Sequence, residues 1–325
     1  MSLNIYKRYV KDFSVFYASS WITRNTTAQN WTGVCFGAGL FVAVSSGGTN
    51  RVITSTDAIS DWTLRTTPLQ SWRNVIFRGE ISPLFVAVAD GGTSTSIMTS
   101  PDGITWTGRT TPGSGVVAWT SVVWAGGTVN LFVAVGSGTG TNKVMTSPDG
   151  VTWTQRTCPD EAWTNITWSP ELGRLVAVAI GSSGNRVMYS SDGINWTSGS
   201  SSSSSFGFYS VIWSSLFRRF YAVGDSSNVQ VSEDGITFST ILGIPSFTFR
   251  DICVSNELGL IVCSGLTDTG MVITQSPGTT WNYIRTIINA ITVSKIIWEP
   301  TRGVFVGVGS AYIITTKELG IGWGK

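Results

Sequence analysis

One short phrase recurs along almost the whole chain and sets its period. It reads Ser-Pro-Asp-Gly-Ile-Thr-Trp at residues 100–106 and Ser-Pro-Asp-Gly-Val-Thr-Trp at 147–153, with looser copies at 55–62, 190–196 and 232–238. The aromatic residues in register with the end of this phrase lie 41 to 47 residues apart, at Trp21, Trp62, Trp106, Trp153, Trp196, Phe238, Trp281 and Trp323. A fixed period in this range is typical of a repeat architecture.

Each repeat contains four short segments that predict β-strands. In one unit they are residues 120–124, 131–136, 143–147 and 152–157, each bounded by turn-forming residues. Short segments that are apolar or alternating favour strands, and the chain has no 3.6-residue periodicity. Four strands in about 40–45 residues is the period of a β-propeller blade. The apolar second segment recurs in seven units, so the sequence predicts an all-β, seven-bladed β-propeller with four-stranded blades.

The two ends of the chain predict how the ring closes. Only two residues follow Trp323, whereas residues 21–26 resemble the fourth strand at 153–157 without the three strands before it. We therefore predict that the N-terminal strand completes the last blade by pairing with residues 312–316. Such closure removes the exposed edges of an open array. Residues 1–20 are then an N-terminal extension, and residues 21–325 form a single propeller.

The recurring phrase also predicts a tight turn. Glycine after aspartate permits a positive φ, while the Asp and Ser side chains bond backbone amides within the turn. The phrase resembles the Asp-box of sialidase-type (BNR) β-propellers, with one residue fewer between Asp and Trp and with Pro277 in place of Asp in the sixth copy. The resemblance implies structural turns away from any catalytic face. The aspartates concerned are Asp57, Asp102, Asp149, Asp192 and Asp234.

Composition argues against several classes of partner. Lysine and arginine total 21 against 19 acids, and a net charge of +2 provides no basic field for nucleic acid. No apolar stretch is long enough to span a bilayer, and the N-terminus has no apolar signal-peptide core. Histidine is absent and no Cys-x-x-Cys occurs. We therefore expect neither membrane insertion, nor a metal site of the zinc kind, nor a cofactor.

The acidic residues and arginines form no pattern that predicts an enzyme. Without histidine, Ser-His and Cys-His nucleophiles are excluded, whereas glycoside hydrolysis needs only two carboxylates. However, no acid outside the turns forms an evident local pair, and the Arg-Ile-Pro motif of sialidases is absent. Four arginines recur three residues after the aromatic and are interpreted as decoration of an exposed rim, with a partner-binding band as the alternative. Recurrent glutamates follow the first strand and are interpreted as turn residues. These residues are Arg24, Arg65, Arg109, Arg156, Glu80, Glu171, Glu257 and Glu299.

Aromatic residues near the connections between repeats are the candidate ligand contacts. They lie at the same end as the Gly-, Ser- and Thr-rich loops between second and third strands, where aromatic faces stack on sugars and amides bond hydroxyls. The alternative is that these rings simply pack between blades. A serine run at 198–205 is predicted to be a solvated loop. The candidate ligand-binding residues are Trp31, Trp72, Trp119, Trp163, Tyr209 and Phe247.

These observations predict a non-enzymatic structural or recognition module. The uniform repeats resemble propellers of bacteriophage and other viral particles, which implies a virion protein of the tail or capsid that binds host-surface glycans or partner proteins. Its partners are then other virion proteins or further copies of itself, and its location is the virion or the extracellular space after lysis. A sialidase-like glycoside hydrolase and an intracellular assembly scaffold of the photosystem-assembly type are the alternatives.

Overall fold

The structure is a computed structural model that describes residues 21–79, 82–91, 94–113, 117–181, 185–202, 206–226, 228–242, 244, 247–265, 271–274, 283–286 and 292–316. All of the secondary-structure elements in these residues are β-strands. They are β1 (Trp21–Gly37), β2 (Leu40–Ser45), β3 (Val52–Ser55), β4 (Thr63–Arg65), β5 (Trp72–Arg78), β6 (Leu84–Ala89), β7 (Ile97–Ser100), β8 (Thr107–Arg109), β9 (Ala118–Ala125), β10 (Leu131–Ser137), β11 (Val144–Ser147), β12 (Thr154–Arg156), β13 (Ala162–Ser169), β14 (Arg174–Ile180), β15 (Val187–Ser190), β16 (Thr197–Ser198), β17 (Ser200–Ser201), β18 (Phe208–Ser214), β19 (Arg219–Gly224), β20 (Val229–Ser232), β21 (Thr237–Thr240), β22 (Phe249–Ser255), β23 (Leu260–Gly265), β24 (Met271–Thr274), β25 (Tyr283–Thr286), β26 (Val293–Glu299) and β27 (Val304–Thr316).

The predicted four-strand unit is the basic sheet of the molecule. Strands β5 to β8 pair antiparallel in chain order, as do β9 to β12, β13 to β16 and β22 to β25. The first strands of the sheets contact one another in chain order, β1, β5, β9, β13, β18, β22 and β26, and β26 contacts β1. The first strand of each sheet therefore lies at the inner edge and the fourth strand lies at the outer edge.

The middle strands of each sheet are covered on both faces. In β6 every residue after Leu84 is buried, and all of β7 is buried, whereas outer strand β8 is largely exposed. A strand that is buried on both faces needs no polar alternation, which explains its continuous apolar sequence. The apolar second segment of the sequence repeat is thus the middle of a sheet packed between two others.

An apolar cluster fills each space between neighbouring sheets. Phe85 and Trp106 of one sheet pack against Val42 and Val44 of the sheet before it, with the two aromatic ring centroids 6.2 Å apart. A cluster of the same kind joins Val304 and neighbouring residues of β27 to β2. Burial of these large side chains is the main favourable free-energy term available to such a stack of sheets.

The predicted pairing between the two ends of the chain is present. The beginning of β1 runs antiparallel to the end of β27, from Trp21 opposite Thr316 to Asn25 opposite Tyr312. The second half of β1 pairs with β2, so that β26, β27, β1, β2, β3 and β4 are joined in one sheet. Residues 1–20 and the aromatic positions Trp281 and Trp323 lie outside the described residues.

Strand β27 folds back on itself and supplies two strands of that sheet. The backbone N–H of Phe305 donates to Thr316 Oγ1 at 3.0 Å. Eleven residues of fully extended chain would instead span about 35 Å. Ala311 has a φ of 67°, which marks the turn of a tight hairpin.

The serine run is exposed at Ser198, Ser200 and Ser202, as predicted, but part of it is a strand and not a loop. Ser200 and Ser201 form β17, which pairs parallel with β21 at the outer edge of its sheet. The N–H groups of Ser200 and Ser202 donate to the carbonyls of Ile236 and Phe238. An outer strand leaves backbone groups unpaired, and here part of the connection between repeats bonds to them. Residues 203–205 of the run lie outside the described residues.

Candidate functional site

The aspartate turns have the hydrogen bonds that their sequence predicts. Asp149 Oδ1 accepts the N–H groups of Val151 and Thr152, both at 2.8 Å, and the Ser147 hydroxyl at 2.9 Å. Gly150 has a φ of 78°, and its carbonyl accepts the indole N–H of Trp153. The same Oδ1 contacts with two backbone N–H groups and a serine hydroxyl occur at Asp57, Asp102, Asp192 and Asp234.

These turn carboxylates are held in the ionised form. Burial opposes ionisation, but the hydrogen bonds outweigh it at every one of the five. In Asp192 those from Asn195, Ile194 and Ser190 lower the pKa to about 2. The pKa of Asp149 is lowered for the same reason by Thr152, Val151 and Ser147. A carboxylate that is ionised and already saturated with donors is suited to fixing a turn and poorly suited to giving a proton to a substrate.

Four of the six aromatic residues that were predicted to contact a ligand are fully buried, which argues against that role for them. Trp31, Trp72 and Trp163 are 0% exposed and Trp119 is 1% exposed. Each belongs to an apolar cluster between sheets, so none presents a ring face on which a sugar can stack. This is the arrangement that the sequence left open as the alternative. Phe247 is also buried, stacked on Phe249.

Tyr209 differs from these because it lies one residue further along its strand. The residue that takes the place of the tryptophans in β18 is Phe208, and in β22 it is Phe249, both fully buried. Tyr209 is half-buried and lines a cavity. Among the six predicted ligand contacts, Tyr209 is the one that lines this cavity in the described residues, and its role in binding stays a prediction.

A β-bulge at the same place in every first strand creates this cavity. Pairing of β1 with β2 passes from Trp31 to Gly33, and pairing of β5 with β6 passes from Trp72 to Asn74, which leaves Thr32 and Arg73 unpaired. A bulge of this kind redirects a side chain out of the regular alternation. The residues at the bulges are Thr32, Arg73, Thr120, Thr164, Tyr209, Arg250 and Ser294.

All of these bulge residues line one cavity of about 500 Å³, which we call the bulge cavity. Its wall is completed by residues at the ends of the first strands and the starts of the loops: Asn30, Asp90, Ala118, Ser137, Thr292 and Ser310. A volume of this size is typical of a ligand site. Residues that are far apart in sequence are thus brought together at one end of the molecule, opposite the aspartate turns.

The threonines of the bulge cavity hold neighbouring sheets together. Thr32 Oγ1 donates to the carbonyl of Trp72 at 2.7 Å, Thr120 to that of Trp163 at 2.9 Å and Thr164 to that of Phe208 at 2.8 Å. Each threonine O–H is consequently engaged by the protein. These positions offer a ligand methyl groups and oxygen lone pairs, but no free hydroxyl donor.

Arg73 replaces this threonine in the second sheet and pairs with an acid. Its guanidinium forms an ion pair and a hydrogen bond with Asp90, the residue that follows β6. The Arg73 side chain is 42% exposed and the Asp90 side chain 20% exposed. An ion pair this open to solvent contributes little to stability. The positive charge of Arg73 is nevertheless balanced by Asp90 at the cavity wall.

Tyr209 and Arg250 form the second polar group of the cavity. Arg250 Cζ lies 4.3 Å from the centre of the Tyr209 ring, a cation–π arrangement. Burial, together with the negative charge of Asp225 within hydrogen-bonding reach of the phenol, raises the pKa of Tyr209, so this hydroxyl is neutral at neutral pH. In the sequence, Arg73 and Arg250 directly follow the buried aromatic residue, at the position where three other repeats have threonine. This substitution is the sequence signal for the two arginines, and neither was predicted as a site residue.

A buried polar layer lies one residue beyond the bulges and joins the first strands. Asn165 donates to Ser121 Oγ at 3.2 Å and accepts the N–H of Val211 at 3.1 Å. Asp251 accepts the N–H of Ile296 and the ammonium of Lys295, both at 2.8 Å, and the hydroxyl of Ser210 at 2.7 Å. Because these groups satisfy one another across neighbouring sheets, they form a rigid floor beneath the bulge cavity.

The opposite end of the molecule has a second cavity of about 670 Å³, lined by Arg78, Gly79, Ser82, Trp124, Gly126, Gly127, Asn130, Pro148 and Asp149. Arg78 lies over the Trp124 ring at 4.9 Å and donates to the carbonyl of Pro148 at 3.3 Å.

Two of the recurrent glutamates lie at this end of the molecule and bond the next sheet. Glu171 and Glu257 accept indole N–H groups from it at 2.7 and 2.8 Å, which is compatible with their interpretation as turn residues. The polar groups at this end connect sheets to one another. Glu80 lies outside the described residues.

The recurrent arginines of the outer strands are not merely solvated decoration. The Nε–H groups of Arg24, Arg65, Arg109 and Arg156 donate to threonines of the third strands, Thr315, Thr54, Thr99 and Thr146, at 2.8 to 3.2 Å. Each side chain is half-buried by this contact.

Among the described residues no group of three or more His, Cys, Asp or Glu lies close enough to hold a metal ion. No helix in this part of the chain is long and apolar enough to cross a membrane.

No protein-family model matches the chain, and no curated protein matches its sequence. Solved structures match it over nearly its whole length. "YCF48 bound to D1 peptide" covers 91% of this chain and 96% of its own, with a TM-score of 0.68 and 15% identity. Virginiamycin B lyase from Staphylococcus aureus covers 91% and 99%, with a TM-score of 0.72 and 9% identity. U3-55K covers 92% and 99%, with a TM-score of 0.67 and 8% identity. At such identities the likeness establishes the fold alone, and the chain is a β-propeller.

Proposed function

We propose that the repeats form a closed ring of seven blades in which residues 21–26 are the outer strand of the last blade. Three observations support this reading: the first strands contact one another in order and return to β1, β1 pairs with β27, and an apolar cluster joins β27 to β2. On this reading the bulge cavity lies on the ring axis. The aspartate turns lie at the other end.

We propose that the protein is a non-catalytic recognition module that binds a protein or peptide partner at the bulge cavity. The observation that carries this proposal is the ring of bulge residues, in which three repeats replace a threonine that bonds the neighbouring sheet with Arg73, Tyr209 or Arg250. Such a replacement gives up a contact within the fold and places a larger polar group in the cavity. A propeller among the similar structures was solved with a bound peptide, which supports a peptide ligand.

The lining of the bulge cavity favours binding over hydrolysis. Its one carboxylate among the described lining residues, Asp90, is paired with Arg73. A glycoside hydrolase ordinarily requires two carboxylates with different roles, one protonated and one ionised. The likeness to a lyase concerns the fold and supplies no catalytic residue to this chain.

The Asp-box relationship, the virion role and the binding of host glycans stay predictions from the sequence. Burial of the four tryptophans removes the stacking surface on which the glycan prediction depended. Engagement of the threonine hydroxyls further reduces the donors available to a sugar. A protein partner makes fewer demands of this kind, since its backbone and charged side chains can be recognised by the arginines and the tyrosine that line the cavity.

A peptide-display selection against the purified chain tests this function. Peptides recovered by the wild-type protein should lose at least about tenfold in affinity for Ser137→Trp, because Ser137 lines the cavity and an indole there takes up space that the ligand needs. The Ser137 side chain makes no hydrogen bond in the described residues that the substitution would break. Thr107→Trp is the matched control, since Thr107 lies exposed on outer strand β8. Both variants should keep the wild-type melting temperature.

Two results would contradict the proposal. Equal affinity of the selected peptides for Ser137→Trp and wild type would place recognition elsewhere on the molecule. Turnover of a fluorogenic glycoside panel, abolished by Asp90→Asn, would make the protein an enzyme. A glycan array run in parallel decides between peptide and sugar as the class of ligand.

A further inference from the structure

The bulge cavity contains one arginine that forms no ion pair within the described residues. Arg73 is paired with Asp90, whereas Arg250 makes the ring contact with Tyr209 and no ion pair or hydrogen bond in the part of the chain that the structure describes. A guanidinium carries five N–H donors in a planar arrangement. Arg250 is half-buried, so solvent reaches these donors only in part.

The position of Arg250 is fixed by its neighbours. Its guanidinium lies over the Tyr209 ring at 4.3 Å, and Asp225 lies within hydrogen-bonding reach of the phenol hydroxyl. The strand that carries Arg250 is anchored one residue later by buried Asp251, which bonds groups of both neighbouring sheets. An arginine held in this way loses less side-chain entropy when it binds a ligand than a freely rotating one.

The charges around the cavity select the class of ligand. The described residues that line the cavity include two positive side chains, Arg73 and Arg250, and one negative side chain, Asp90. A further carboxylate, Asp225, interacts with the Tyr209 hydroxyl and is not part of the lining. A singly charged, planar anion matches this balance and the donor geometry of a guanidinium. A phosphate ester with nearly two negative charges would be repelled by both nearby carboxylates.

We propose that the bulge cavity is a carboxylate-binding site anchored by Arg250, and that the partner presents a C-terminal carboxylate or an acidic side chain there. This inference rests on the proposed function and names the chemical group that the site recognises. Arg250 binds the carboxylate, Tyr209 supports Arg250 from below, and Asp90 reduces the contribution of Arg73. The threonines of the cavity contact the uncharged part of the peptide through their methyl groups.

Titration of the arginine side chains with sodium acetate tests the site directly. The Nε–H signals of Arg250 and Arg51 are assigned from Arg→Lys variants and followed by NMR at constant ionic strength, first with acetate and then with inorganic phosphate. Arg51 is the control, since it lies directly before β3, outside the cavity lining, and its Nε–H donates to the carbonyl of Gly48. We expect the Arg250 signal to move along a saturable curve with acetate while Arg51 does not respond.

Two outcomes of this titration would overturn the inference. The Arg250 signal staying in place, or moving in parallel with that of Arg51, would show that there is no specific anion site. Saturation by phosphate at a lower concentration than by acetate would assign the site to a phosphate group. The titration itself is carried out on the wild-type chain, and the Arg→Lys variants serve only to assign the two signals.

Peptide binding separates this inference from the proposed function. Selected peptides with a free C-terminus and with an amidated C-terminus are compared on wild type, Arg250→Gln, Arg250→Lys and Asp90→Asn. We expect at least about tenfold weaker binding with Arg250→Gln, an intermediate loss with Arg250→Lys because a bidentate contact is lost, and tighter binding with Asp90→Asn because Arg73 is released. Peptides that bind wild type and Arg250→Gln equally would overturn the carboxylate site and leave peptide recognition intact. Absence of any peptide ligand would contradict the proposed function, and the acetate titration would still decide the anion site.

Discussion

A shift of one residue decides what a side chain does in this molecule. Phe208 is fully buried between sheets, and Tyr209, its neighbour at the bulge, faces the cavity. Aspartates differ in the same way. Asp149 is saturated by backbone N–H groups of its own turn, whereas Asp90 reaches an arginine at the cavity wall. Chemical type alone therefore does not separate structural from functional residues, and backbone geometry does.

The aspartate turns should contribute to stability and leave binding unaffected. Asp149→Ala removes the acceptor for two N–H groups and one hydroxyl, and we expect a loss of about 1 kcal/mol in the free energy of unfolding, as for a lost helix cap. Denaturant titration measures the change. Asp61→Ala is the matched control, because Asp61 is exposed and, in the described residues, the hydrogen bonds of its turn are accepted by Asp57 instead. Native stability with loss of peptide binding in Asp149→Ala would refute a purely structural role.

The first strand is the element in which structure and function meet. Its regular part pairs with the second strand, its bulge faces the cavity, and its buried polar residue bonds the neighbouring sheets. Asp251 and Asn165 show this last role most clearly, since each contacts two other first strands. Because these contacts run between sheets, they fix the relative positions of bulge residues that lie far apart in sequence.

Breaking the contacts of Asp251 should destabilise the protein strongly. Asp251→Ala leaves the ammonium of Lys295 and the N–H of Ile296 without their partner, and we expect a loss on the order of 3 kcal/mol, as for removal of one member of a buried ion pair. Asp251→Asn retains a side-chain acceptor and should lose less. Equilibrium unfolding in urea measures both variants. Equally small effects for the two would show that the polar floor carries little of the stability.

At the scale of the whole molecule, the N-terminal strand joins the two ends of the chain. Trp21 packs in the cluster of the last sheets, with its ring 6.3 Å from that of Phe305, and its strand pairs with the end of β27. Without this strand the outer edge of the last sheet is exposed. Unpaired strand edges promote association between molecules.

Two truncations test this role of the N-terminal strand. Removal of residues 1–18 leaves β1 complete and is the reference for the second truncation. Removal of residues 1–28 takes away the strand that pairs with Tyr312–Thr316, and we expect a lower melting temperature and aggregation. Differential scanning calorimetry and size-exclusion chromatography measure both effects. A monomeric 29–325 chain with unchanged melting would contradict the closed ring.

Much of the fold was predictable because its signals are local. Strand segments, turn residues and their period are properties of short stretches, and turn chemistry acts over three or four residues. The pairing of the two chain ends was also predictable, since the missing fourth strand of one repeat matched the surplus strand of another. The exception is the serine run, where β17 forms only because the edge of β21 lies beside it in space.

Local sequence patterns are sufficient to predict the repeat, the strands, the aspartate turns and the segments that pair at the two ends of the chain. They are not sufficient to predict which residues face the cavity, because a bulge interrupts the alternation by which strand patterns are interpreted. Packing between sheets buries Trp31, Trp72, Trp119 and Trp163, for which the sequence pattern is compatible with both a ligand contact and packing between blades. Arg73 and Arg250 belong to distant repeats, and only the arrangement of the sheets brings them to one cavity.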